Sequence, residues 1–422
     1  MVIFDRLPDE LLAEIIHHST HISPFPSRSA PEDGLKQLKL LLDATSISSR
    51  WRSVAISTPQ LWSWIVIADH TFHRGTDVGR SVVEAFIERS KNASIDIYLA
   101  IPLFDEPSFM RVYGPVIPHL RRCSSFSCFR LRNEIVDQIL PLHGDMPRLS
   151  TVRLVGDVDG PPKAAFTKPS SLTALRNMII LGVPMLPIHP NSIDQLTIGL
   201  SESLPMWALP FIASSTNVTR LKLEVWEDDM LGEVPSTRIH LPRLKVLQQA
   251  HCTIAPFLDA PALDEFHWLA CWLGVKPVDG HTSSFPALTK LYLNSPFPFY
   301  DTEPPPRKLD FPSLKELRIN EAVEVSTFLR GLLLPHTLDP AVERPEGAAS
   351  FLLPYPALQV VELKVTNPED LTALRNVLVD LLEEYQNTRL EYDSLKTFPS
   401  NNDQFWGELR KVYGARVLSV SG

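Results

Sequence analysis

A short phrase returns five times along this chain: an apolar residue, a proline, any residue, then apolar positions spaced Leu-x-x-Leu-x-Leu. It reads Met146-Pro147-Arg148-Leu149 with Val152 and Leu154, and Ala260-Pro261-Ala262-Leu263 with Phe266 and Trp268. It recurs as Phe285-Pro286-Ala287-Leu288 with Leu291 and Leu293, and as Phe311-Pro312-Ser313-Leu314 with Leu317 and Ile319. The last copy is Tyr355-Pro356-Ala357-Leu358 with Val361 and Leu363. With apolar residues at 44% and 38 prolines in 422 positions, chance places such a phrase about once or twice. Five copies define a repeat, and a repeat constrains the fold more tightly than any single residue.

Looser copies fill the gaps: Leu172/Leu175, Ile193/Leu196/Ile198, Val218/Leu221/Leu223 and Leu241-Pro242-Arg243-Leu244/Leu247. Lead positions 149, 172, 193, 218, 244, 263, 288 and 314 lie 19 to 26 residues apart, and a 44-residue gap precedes Leu358. This period matches the leucine-rich repeat, one short strand plus a return segment per unit. One unit cannot bury its own leucines, whereas stacked units lay strands in parallel and bury a continuous column of them. Within a unit the two later apolar residues are two apart, so both point inward. The proline fixes φ and holds the preceding residue extended, which sets the strand entry. A sandwich of antiparallel strands is the competing fold, but Asn-Gly and Asp-Gly hairpin signals are nearly absent between copies. The expected class is therefore α/β, with an irregular repeat solenoid on a parallel sheet.

Net charge is −9 and no basic tract occurs, which argues against nucleic acid or an anionic membrane as partner. Cys123, Cys128, Cys252 and Cys271 lack C-x-x-C spacing and are too few for a disulfide framework, so reduced thiols are expected. The first residues show no secretory pattern, and no apolar run reaches the roughly 18 residues that span a bilayer. A soluble protein of cytoplasm or nucleus is expected. Only 17 glycines occur, with no phosphate-cradling G-x-G-x-x-G or G-K-[ST] loop and no G-x-S-x-G elbow. His17 and His21 are spaced one helical turn apart but have no third ligand nearby. No catalytic residue, metal or cofactor is expected, and an enzyme is disfavoured.

Before the repeats the period becomes helical. Pro8 suits a first helical turn, and Leu11, Leu12, Ile15 and Ile16 share one face. A second pattern runs from Leu35 to Ile47, continues as Ser49-Arg50-Trp51-Arg52-Ser53-Val54-Ala55, and is followed by Pro59-Gln60-Leu61-Trp62. Three short helices with this much apolar surface are too small to fold comfortably alone.

These residues resemble the F-box, specifically the fungal F-box-like proteins with degenerate leucine-rich repeats. The resemblance rests on Leu7-Pro8-x-Glu10-Leu11-Leu12-x-x-Ile15, on Ile47-Ser48-Ser49-Arg50-Trp51-Arg52-x-Val54-Ala55 and on Leu61-Trp62. The helical run 81–90 followed by the strand-like 95–99 is also similar to that family. Two departures stand out: residues 17–34, rich in Ser, Pro and His, replace a short loop, and Ser48 stands where a cysteine is common. The resemblance implies a substrate-recognition subunit of an SCF-type cullin–RING ubiquitin ligase, with no covalent chemistry of its own. Its partners would be a Skp-type adaptor, the cullin scaffold behind it, and a protein substrate. Leu7, Pro8, Leu11, Leu12, Ile15, Ile47, Trp51, Leu61 and Trp62 are the matching adaptor-docking candidates, some of which build the module's own core. The competing reading is a non-enzymatic repeat scaffold whose N-terminal helices seal the first repeat.

The expected layout is an F-box-like module over 1–66, a linker helix with first irregular repeats over 67–145, the solenoid over 146–365, and a C-terminal helical cap over 366–422. The residue between the two inward strand positions faces out, giving a column of Arg153, Arg176, Thr197, Lys222, Gln248, His267, Tyr292, Arg318 and Glu362. Neighbours in such a column lie about 4.8 Å apart. Its charged and aromatic members are the substrate-binding candidates, suited to an acidic or phosphorylated segment. Two loops offer rival sites, Trp226-Glu227-Asp228-Asp229-Met230 and the proline-rich stretch from Ser295 to Pro306.

Overall fold

A computed structural model describes residues 7–20, 30–68, 76–100, 106–131, 146–156, 172–183, 192–200, 208–225, 238–250, 254–269, 285–294, 312–320, 360–364 and 418–421. The two loops just named lie outside these residues, as does the expected helical cap apart from residues 418–421. The chain divides into two compact units, Met1–Thr197 and Ile198–Gly422.

The first unit opens with three helices, α1 (Asp9–Thr20), α2 (Ala30–Ile47) and α3 (Ser49–Ser57), and a 3-10 turn over Pro59–Trp62. Asp9 and Glu10 sit in the first turn of α1, where backbone N–H groups favour negative charge. Helix α3 is capped by Ser48, whose hydroxyl accepts from the Trp51 amide at 3.2 Å. A serine here therefore does a job that a cysteine does poorly. Strand β1 (Trp64–Ile67), helix α4 (Thr76–Ser90), β2 (Ile95–Ala100), helix α5 (Glu106–Tyr113), β3 (Cys123–Leu131), β4 (Thr151–Gly156), β5 (Asn177–Leu181) and β6 (Gln195–Leu200) follow. β1 to β5 pair in chain order, all parallel. Register stacks Ile65, Ile97, Phe126, Val152 and Met178 in one row, and Ile67, Leu99, Cys128, Leu154 and Ile180 in the next. All ten are buried, so side-chain alternation alone builds the spine of this unit.

The second unit repeats the arrangement. β7 (Arg220–Val225), β9 (Val246–Ala250), β11 (Glu265–Leu269), β12 (Lys290–Asn294), β13 (Glu316–Asn320), β14 (Val360–Lys364) and β15 (Leu418–Ser421) are neighbours in a parallel sheet. Leu221, Leu247, Phe266, Leu291, Leu317, Val361 and Leu418 share one row; Leu223, Gln249, Trp268, Leu293, Ile319, Leu363 and Val420 share the other. Two short strands, β8 (Ile239–His240) and β10 (Leu258–Asp259), pair separately.

The recurring proline acquires a specific job. In four copies the amide of the lead leucine donates to the carbonyl of the residue before the proline: Leu149 to Met146, Leu244 to Leu241, Leu263 to Ala260 and Leu288 to Phe285, at 3.1 to 3.2 Å. This is a β-turn with proline at its second position, where φ is already correct. The carbonyl just after each turn then accepts two successive amides of the next repeat. Lys245 receives Asp264 and Glu265, Asp264 receives Thr289 and Lys290, and Thr289 receives Lys315 and Glu316. Each repeat thus seats the next through its backbone. The chain is an α/β protein built on long parallel sheet. No helix among the described residues is long and apolar enough to cross a membrane.

Candidate functional site

The helical head separates residues that looked equivalent in sequence. Leu12, Ile16, Leu41, Ala44, Val54, Ala55, Leu61 and Trp62 form one buried cluster, with Ala13, Trp51 and Phe86 packed against it. The Trp62 indole donates to the Ala55 carbonyl at 2.7 Å, meets the Phe86 ring edge-on at 5.1 Å, and lies under the Arg89 guanidinium. Leu12, Leu61 and Trp62 are therefore core, and the last of these ties the head to α4. Trp51 is half-buried against the same core.

Other candidates point outward. Leu11 is 46% exposed, Ile15 38% and Ile47 61%, and Pro8 is exposed beside them in sequence, while Leu7 is half-buried. Leu11 and Ile15 are one turn apart and share a face of α1. Leu42 and Ile56 are exposed too. Neither belongs to the candidate set, although Leu42 closes the Leu40-Leu41-Leu42 run, which is too wide for one buried stripe. Of eight exposed large apolar side chains among the described residues, five lie on these three helices. Scattered exposed leucines need no explanation, but such a concentration on three short helices does. Arg50 joins the start of α3 to the start of α1: it donates to Asp9 at 2.7 and 3.0 Å and to the Leu7 carbonyl. This brings the α2–α3 corner, which carries Ile47, beside Pro8 and the first turn of α1.

The outward column falls differently in the two units. In the first, Arg153 has Ser127 and Ile179 as strand neighbours. Arg176, expected next to it, precedes β5. The turn bond from Leu175 to Leu172 makes Leu175 the lead residue, so this repeat sits three residues further on than its spacing suggested. The Arg176 guanidinium instead donates to the carbonyls of Thr173, Leu175 and Ser192, at 3.0 to 3.2 Å. Arg153 lies over the Phe129 ring at 4.8 Å, and burial works against its charge. Beside it Phe129 and Val66 pack on buried Tyr98, Ala68 and Ala100. Apart from Arg153 and Ser127, this stretch of that face is apolar.

In the second unit Lys222, Gln248, His267, Tyr292, Arg318 and Glu362 do form one row across neighbouring strands. Its Lys, His and Arg side chains each meet a carboxylate from their own strand. Lys222 meets Glu224 at 2.5 Å, His267 meets Glu265 at 2.5 Å, and Arg318 pairs with Glu316. The His267 ring stacks flat on Tyr292 at 4.4 Å, and the Arg318 guanidinium covers the other strand side of that ring at 5.5 Å. Burial, followed by Glu316 and Glu265, raises the Tyr292 phenol above its ordinary value. Half-buried Val246, Ala250 and Leu269 lie on the same face. An incoming anion would have to compete with Glu224 and Glu316, so the row is a charge-paired surface around a stacked His267–Tyr292 centre.

Among the described residues no cluster of His, Cys, Asp and Glu has the makings of a metal site. Burial pushes the Cys123 and Cys128 thiols upward, away from nucleophilic behaviour. No family model matches the chain, and no curated protein matches it.

Proposed function

We propose that this chain is the substrate-recognition subunit of an SCF-type cullin–RING ubiquitin ligase, its head docking a Skp-type adaptor and its leucine-rich-repeat solenoid holding a protein substrate. The observation that carries the reading is the exposed apolar edge of the head, Pro8, Leu11, Ile15 and Ile47, beside a buried cluster that already takes in Leu12, Leu61 and Trp62. Full burial of such a side chain contributes about 1.5–3 kcal/mol. From their present exposure each would contribute roughly half of that, before the cost of association is subtracted. Leu12, Leu61 and Trp62 serve this edge from behind as its support. The substrate surface is the second unit's row centred on Tyr292, an aromatic and arginine pairing of the kind that dominates interfaces. Its paired charges suit a protein segment of mixed charge better than a phosphorylated one. Catalysis is positional: the chain raises the local concentration of a substrate lysine near an enzyme bound elsewhere.

Purified full-length chain titrated with a purified Skp-type adaptor tests the reading, with Leu11→Asp and Ile47→Asp as the discriminating variants. A second reading, a repeat scaffold whose helices seal the sheet, is favoured by the packing of Trp62 on Phe86 and Arg89 of α4. That reading predicts no adaptor binding by the wild-type chain.

A further inference from the structure

The head carries an ion pair that helix stability does not explain. Arg50 lies in the first turn of α3, where the helix dipole disfavours a cation. Its guanidinium turns away from its own helix: Nε and Nη2 both donate to Oδ1 of Asp9, at 3.0 and 2.7 Å, and Nη2 also donates to the Leu7 carbonyl. One side chain so gathers three pieces of chain, the segment entering α1, the first residue of α1, and the start of α3. Asp9 is exposed at 65% and Arg50 is half-buried at 34%, and a pair this open to solvent adds little to folding stability. What the pair does add is geometry, since two donors on one carboxylate plus a backbone carbonyl fix an angle that a single contact would not. The pieces it joins also carry Pro8, Leu11 and, three residues before Arg50, Ile47.

We infer that Asp9 and Arg50 are a positioning pair for the apolar edge, holding Leu7-Pro8 and the first turn of α1 against the α2–α3 corner so that Leu11 and Ile47 meet the partner as one surface. This inference rests on the adaptor-docking reading. Without the pair the edge has to be ordered at the moment of binding, which weakens affinity without new lost contacts.

The test uses the full-length chain, a purified Skp-type adaptor, and the variants Arg50→Ala, Asp9→Asn and the swap Asp9→Arg with Arg50→Asp. Each single variant is expected to lose about five- to tenfold in affinity, with an unchanged melting temperature. Rising salt should weaken wild-type binding and leave Arg50→Ala nearly flat. The swap should regain part of the loss. Hydrogen exchange supplies an arm that needs no adaptor: the Leu12 amide, bonded to the Pro8 carbonyl at 3.1 Å, should exchange faster in Arg50→Ala. Wild-type affinity in both single variants overturns the pair and leaves docking intact. Absence of binding by the wild-type chain overturns docking, and the exchange arm then decides the pair by itself. Equal exchange in wild type and Arg50→Ala shows that the pair positions nothing.

Discussion

Trp62 anchors the head, with a ring edge on Phe86, a guanidinium over its face and an indole bond to Ala55. Trp62→Ala should cost about 3–5 kcal/mol, read as a large fall in the urea midpoint of the first unit. Ile47→Asp, on an exposed corner, should stay within about 0.5 kcal/mol of wild type. If both variants shift the midpoint equally, the division into core and edge is mistaken. Trp51 is a poorer probe than either, because its half-buried ring mixes the two effects. Cys123, Cys128 and Tyr113 add a pH signature. Burial is the main reason that all three acids sit above their ordinary ranges. They stay neutral in the folded chain while the unfolded chain releases their protons first. Their contribution to stability is whole below the unfolded thiol value of about 8.5 and declines as pH rises above it. The urea midpoint should therefore fall from about pH 9 upward, and the fall should shrink in a Cys123→Ala, Cys128→Ala double variant. A midpoint that falls just as steeply in that variant would remove the thiols from the account.

At the scale of elements, the strands of the phrase-bearing repeats were legible because buried rows need apolar residues two apart, as in Val152 and Leu154 or Leu291 and Leu293. Ile65, Ile67, Phe126, Cys128, Met178, Ile180 and Gln249 joined the rows without being marked by spacing. Turn chemistry was less legible. Leu172-Thr173-Ala174-Leu175 offers two leucines three apart, and either can lead the strand by pattern alone. The backbone bond between them decides for Leu175, which moves Arg176 out of the outward column and onto three carbonyls. The charge pairing of that column was illegible for a different reason. Lys222 with Glu224 and Arg318 with Glu316 are two apart on one strand, so they share a face, but a pattern does not say which side chains will lean together. The repeated turn gives its own prediction. Pro286 is at the second turn position, and Pro286→Ala should lower stability by about 0.4–1 kcal/mol through the freer unfolded chain, with the strand register kept. A loss several times larger, measured by denaturant unfolding, would mean the proline does more than preset φ.

At the scale of the whole molecule, each unit is a row of repeats that buries its leucines only by stacking, and the head is a helical cluster with exposed apolar residues beside its buried ones. Sequence pattern reached the repeats and the head, because both rest on periodicity. It did not reach the line between Leu12 and Leu11, or between Trp62 and Ile47, because burial depends on how three helices meet. That meeting is fixed partly by Arg50, whose bonds to Asp9 and Leu7 cross more than forty residues of sequence. The claim everything else depends on is that the leftover apolar edge docks a Skp-type adaptor. Calorimetric titration of the full-length chain with that adaptor tests it most directly. The account predicts saturable one-to-one binding that Leu11→Asp with Ile47→Asp reduces at least about a hundredfold, as the loss of two central anchors should, while the melting temperature holds. Absence of heat with the wild-type chain, or equal affinity in the double variant, would contradict it.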